Sequence, residues 1–256
     1  MNENKKIINY DRDMFIFGES IDVPLVGKVR FLNYKEYLMN INDLSIISMN
    51  VLHIYHQYRK MIGNENAEEA LEAIEELKKE KLMDIVRSHQ NFVQSYIKVF
   101  SLVLDENDEE SAVEAIRNIF SNEDLFMEFR MLILEMQMVV EEFVSPNPEI
   151  QEGIEASKKL KREEGESLTP IDIATSIVAG TANSFEDVCN MTVIQVNAIF
   201  YRIGAFKNYD ASTLFATVSA DVKIESWSKK IDLFQKEIHG IKKKDFDKKY
   251  GSLLNK

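Results

Sequence analysis

His53 and His56 stand three residues apart, and on a helix that spacing puts two imidazoles on one face, where they could share a metal ion. The helix-borne zinc pair of a metalloprotease is spaced by four with a glutamate between, and no third ligand accompanies the pair here. They read as two ordinary histidines, and His89 and His239 are isolated. Cys189 is the only cysteine, which excludes an intrachain disulfide and a thiolate cluster. As a nucleophile it would need a neighbouring base and an oxyanion pocket, and among apolar helix positions it reads as a small hydrophobe. The acids Asp108-Glu109-Glu110 and Glu163-Glu164 are adjacent in polar stretches, where carboxylates stay hydrated. A phosphate-cradling Gly-x-x-x-x-Gly-Lys and a dinucleotide fingerprint are both missing. The sequence thus predicts no catalytic residues, cofactor site or metal site.

Binding chemistry is better provided for. Gln195, Asn197 and Arg202 interrupt the apolar run Val193, Val196, Ile199, Phe200, Ile203. A buried amide or guanidinium left without partners costs about 1–3 kcal/mol, so such groups fix one packing or face water. Together with Phe200 and Tyr201, these three are the candidate partner-binding residues. The Met- and Phe-rich stretch from Phe126 to Met138 could line an adaptable groove, but one apolar stripe is what any bundle helix needs, and it is read as core. Lys242 to Lys244, Lys248 and Lys249 form a basic tail suited to an acidic partner or to solubility.

These residues need helices to hold them. Few glycines and prolines, 9 and 4 in 256 residues, against abundant Leu, Ile, Met, Glu and Lys, predict a mainly α protein. A net charge of −12 argues against nucleic acid and anionic membranes as partners, and no apolar run long enough for a signal peptide or a membrane span is present, which predicts a cytoplasmic protein. Alternation and turn residues between Met14 and Phe31 predict a small β-hairpin. Asn33 with Glu36 starts a helix expected to reach Met61, and Asn66 with Glu69 starts another running to Phe100. Polar residues from Asp105 to Glu110 make a turn. Ser121 with Asp124 opens a helix through Phe143, which Pro146 and Pro148 stop. The predicted layout is an N-terminal hairpin and helical domain over 1–148, a flexible charged linker over 149–168, and a smaller, mostly helical C-terminal domain over 169–256 ending in the basic tail. In that second domain Thr169, Ser184 and Thr192 are predicted N-caps, with the third helix stopping at Gly204. A strand over Thr217–Ile224 and a final helix from about Glu225 complete it, with Trp227 and Phe234 on one side and Trp227 in the core.

The helix Cys189–Gly204 and the segment Asn208–Phe234, with its Asn208-Tyr-Asp and Trp227-Ser-Lys-Lys-Ile-Asp, resemble the C-terminal part of tail assembly chaperones of long-tailed phages and prophages. The N-terminal part resembles them only in general character. The resemblance implies a non-enzymatic chaperone that keeps the tape measure protein soluble in the host cytoplasm, helps recruit tail tube protein, associates with itself, and is absent from the finished virion. It supplies no motif that assigns individual contact residues. A helical metal-dependent enzyme built on His53 and His56, and a host regulatory adaptor, are the alternatives from other classes.

Overall fold

The structure is a computed structural model, and it describes residues 6–61, 75–105, 109–164, 168–219 and 221–234. Strands β1 (Ile21–Val23) and β2 (Gly27–Val29) pair antiparallel with Ile21 opposite Val29, so the expected hairpin forms. Its turn passes Leu25 at φ 66 and Gly27 at φ 98. Before it, Arg12–Phe17 is a 3-10 helix and not strand. The Asp11 carboxylate accepts from the Asp13 amide, Gly18 closes the turn at φ 69, and Phe15 alone is buried, so a single short turn suffices.

The helix expected from Asn33 to Met61 is three helices, α1 (Tyr34–Met39), α2 (Ile41–Ser48) and α3 (Val51–Met61). The predicted Asn33/Glu36 capping box is present. Asparagines make both breaks: Asn40 Nδ2 donates to the Glu36 carbonyl at 2.7 Å, and Asn50 Oδ1 accepts from the His53 amide at 2.9 Å. Each offers the backbone a local partner that competes with continuing the helix. The helix start expected at Asn66 lies outside the described residues. Downstream the chain breaks again at His89, between α4 (Leu82–Ser88) and α5 (Gln90–Val103), where the ring Nδ1 meets the Ile85 carbonyl at 2.9 Å.

After α6 (Glu109–Ser121), Asn122 and not Ser121 caps α7 (Glu123–Met136), its side chain accepting from the Leu125 amide at 3.1 Å. Helix α7 stops well short of Phe143. Met138 turns left-handed at φ 52, and Glu141 swings back to pair with the buried Arg130 at 2.6 Å. Phe126, Phe129, Leu132, Ile133 and Met136 are fully buried, so the Met- and Phe-rich stretch is core. Around it Tyr96 stacks on Phe126, and Phe100 meets Phe129 edge-on at 4.8 Å. Burying these rings, with the aliphatic residues around them, stabilises the domain.

The expected flexible linker is helix α8 (Pro148–Glu164). Its Glu, Lys and Ala content favours helix, and it is tethered to the first domain: Gln151 Oε1 accepts from the buried Ser145 amide at 2.9 Å, Lys158 pairs with Glu142 at 2.7 Å, and Glu155 pairs with Lys60 of α3. Low apolar content misled the reading because order here comes from polar contacts to a neighbour.

The three N-caps predicted for the second domain are present, each as a reciprocal capping box. They head α9 (Pro170–Gly180) at Thr169/Asp172, α10 (Phe185–Asn190) at Ser184/Asp187, and α11 (Val193–Ala216) at Thr192/Gln195. A small core of Tyr34, Ile177, Val188, Val193 and Val196 binds these helices to α1. The domains also share main-chain contacts, with the Tyr34 amide on the Met191 carbonyl at 2.7 Å and the Tyr34 hydroxyl on the Pro170 carbonyl at 2.9 Å. Burial pushes that phenol up to about 12. Helix α11 runs through Gly204 to Ala216. Gly204 is not left-handed, and no proline or left-handed residue follows it before Ala216, so the glycine weakens the helix without ending it. No strand forms over the described part of Thr217–Ile224, and Glu225–Phe234 is an irregular strap with turns, not a helix.

Candidate partner-binding site

Helix α11 carries all five candidate residues, and most of their polar groups are used inside the chain. Gln195 Oε1 accepts from the Thr192 amide at 2.9 Å, while its Nε2 donates to the Ile16 carbonyl at 3.0 Å and so ties the N-terminal 3-10 helix to the start of α11. The junction is tight, since a β-carbon on Gly18 would stand 3.1 Å from Thr192 Cγ2. Asn197 Nδ2 donates to the Val193 carbonyl one turn back at 2.9 Å. Arg202 Nη1 donates to the Trp227 carbonyl at 2.5 Å and to the Lys229 carbonyl at 3.3 Å, pinning the strap across the helix. Phe200 packs on the small core, and Tyr201 beside it stands 49% exposed.

Trp227 is not core. It is 43% exposed and stacks on Phe206 with ring centroids 4.9 Å apart. Phe234 leaves it for the first domain, edge-on to Phe15 at 6.1 Å with the Arg12 guanidinium over its face at 5.8 Å. Without a final helix, nothing keeps the two rings on one side. The strap therefore crosses from α11 to the 3-10 helix and roofs an apolar cleft of about 560 Å³. Ala198, Ile199, Ile203 and Phe206 form its floor, Gly180 closes one end, and Ile231 and Leu233 line the roof. Gly180 lets α9 come close: a β-carbon there would stand 3.3 Å from Ile203. Arg202 is the one charged residue in the lining, and its guanidinium is already held by carbonyls. Such a cavity can take apolar side chains from another segment; its one hydroxyl, on Thr181, donates to the Ile177 carbonyl at 2.7 Å.

The other chemistry-bearing residues lie elsewhere. His56 is buried with Nε2 on the Ser145 carbonyl at 2.7 Å, and burial pulls the His53 imidazole below its ordinary range despite Glu142 and Glu155 nearby. Among the described residues, no three His, Cys, Asp or Glu side chains are grouped so that they could hold a metal ion. Cys189 is half-buried on α10. Glu109 and Glu110 begin α6, while Asp108 and the basic tail fall outside the described residues. Sequence reasoning missed Phe206, Ile231 and Leu233, because ending α11 at Gly204 removed the floor of the cleft and reading the strap as a helix removed its roof. Phe206 two positions past a glycine was the available signal. Among the described residues, no helix is long and apolar enough to cross a membrane.

Two family models match the chain, that of the YomV N-terminal domain over residues 10–146 and that of the YomV second domain over residues 170–232. A relative of 33% identity over 239 residues, covering 93% of this chain and 96% of its own length, is the SPbeta prophage-derived protein YomV of Bacillus subtilis (strain 168). No solved structure matches.

Proposed function

Because the chain belongs to the YomV family of prophage proteins, we propose that it acts as a non-enzymatic assembly chaperone of its phage, holding apolar helical segments of the tape measure protein until tail tube protein encloses them. The observation that carries this reading is the apolar cleft along α11, roofed by a strap that Arg202 and the Trp227–Phe206 stack pin to the helix. A helix of the tape measure protein would lay two or three apolar side chains on Ala198, Ile199 and Ile203, in the groove-and-helix manner of many peptide receptors. Coating each exposed stretch this way lowers the free concentration of sticky surface and suppresses aggregation. The acidic surface, net charge −12, would keep the loaded complex dispersed in the host cytoplasm.

The resemblance of the α11 and strap segments to tail assembly chaperones points the same way. The test is co-expression with fragments of the tape measure protein of the same prophage. The intact chain should bring an otherwise insoluble fragment into solution, with several copies bound along it. Trp227, the sole tryptophan, should shift its emission as the strap moves. Ile231→Asp should leave the helical signal intact and reduce binding at least tenfold. Failure of the intact chain to bind any fragment at micromolar concentration would refute the proposal.

A further inference from the structure

Beyond the small core, α11 continues for about three turns, whose inner side meets the strap where Phe206 stacks on Trp227. From Gly204 to Ala216 every residue is exposed or only partly buried, and Leu214 and Phe215 stand 70% and 60% exposed. An isolated helical segment of this length is marginal in water, so these turns are built to lie against something. One face of the projection is patterned symmetrically. With Asn208 as centre, three residues to either side stand Ala205 and Ala211, four residues away Gly204 and Ser212, and seven residues away Tyr201 and Phe215. Offsets of three, four and seven fall on one helical stripe. The stripe points away from the protein body, since Tyr201 and Phe215 are exposed and no atom lies within 4 Å of where a β-carbon on Gly204 would stand.

A stripe that reads the same in both directions fits one occupant best: itself, reversed. We infer that two copies of this chain pair through the outer face of α11, antiparallel about a two-fold axis at Asn208. An isologous contact requires each patch to complement its own image, which the pattern supplies. Ala205 faces Ala211 of the other copy and Gly204 faces Ser212, so the backbones approach closely. Tyr201 packs on Phe215 at each end. The two Asn208 amides meet at the axis, where an amide, being both donor and acceptor, can pair with its equal. Charge permits the contact although each copy carries −12, because no stripe residue is charged and Asp210 lies on the opposite side of the helix. The cleft under the strap opens on another face of α11, so a dimer would present two clefts at once.

Sedimentation velocity of the intact chain should show the weight-average mass rising from monomer toward dimer over about 1–300 µM, the range expected of a single helix pair. Ala205→Glu with Ala211→Glu places acids opposite one another. It should leave a monomer throughout that range with an unchanged helical signal. In a Cys189→Ser background, Asn208→Cys should form a disulfide-linked dimer in oxidised glutathione, because a two-fold axis brings equivalent β-carbons within bonding reach. Asp210→Cys should not. A monomeric chain at every concentration would overturn the inference, as would equal crosslinking at 208 and 210. Capture of a different protein on this stripe while the chain stays monomeric would overturn it too.

Discussion

Replacing Arg130 by Met tests how the first domain is held together. The guanidinium is fully buried on α7, donates from Nε to the Ile47 carbonyl at 2.7 Å and from Nη2 to the Met49 carbonyl at 3.2 Å, and pairs with Glu141 at 2.6 Å. Those two carbonyls belong to the break between α2 and α3, so one side chain satisfies the backbone that Asn50 interrupts. Each charge-assisted bond contributes about 1.5–3 kcal/mol and together they contribute about 3–6 kcal/mol. The variant no longer bears the cost of desolvating a guanidinium on folding, which offsets part of this, and methionine refills the space of the aliphatic stem. The net loss should be about 3 kcal/mol, within the range for breaking one partner of a buried pair. Glu141, 31% exposed, can rehydrate when Arg130 is lost; in Glu141→Gln the amide oxygen still accepts from the guanidinium and both carbonyls stay satisfied, so that variant should cost only about 1 kcal/mol. Urea unfolding followed by the helical circular dichroism signal reads both, with an unchanged slope showing that the native state is intact. A loss below about 1 kcal/mol for Arg130→Met, or equal losses for the two variants, would refute the view that carbonyl satisfaction dominates over ion pairing.

Two further outcomes follow from the geometry. Gln195→Ala removes the α11 capping box and the bond to Ile16 and should cost about 1–2 kcal/mol, whereas Gln195→Glu keeps the cap acceptor and loses only the donor to Ile16. Hydrogen exchange of the Thr192 amide should therefore accelerate in the first variant and change little in the second. Burial lowers the folded-state pKa of His53, so the unfolded chain takes up a proton first as pH falls through about 6.5. Stability should be complete above that value and decline below it until the folded imidazole also protonates. His53→Gln should flatten this part of the urea midpoint profile between about pH 7.5 and pH 5.5, and an unchanged slope would assign the acid sensitivity elsewhere.

Much of this architecture was legible as local chemistry. The capping box at Asn33, the N-caps at Thr169, Ser184 and Thr192 and the hairpin depend on residues within a few positions of one another, and each formed where the sequence placed it, while the apolar stripe of α7 is core as read although its helix starts at Glu123 and ends at Met136. The breaks at Asn40, Asn50 and His89 were written locally too, but a continuous apolar period outweighed them in the reading. What the tertiary structure alone decided depends on partners distant in the chain. Residues 149–164 are helical because Gln151, Glu155 and Lys158 find Ser145, Lys60 and Glu142. Gln195 and Arg202 are fixed by Ile16 and by the strap carbonyls, which no spacing within α11 could announce. Trp227 lies on Phe206 and not in a core because the segment after Ala216 turns back over α11 instead of forming a helix. A side chain's type sets which bonds it can make, and only the fold determines which atoms come within reach of it.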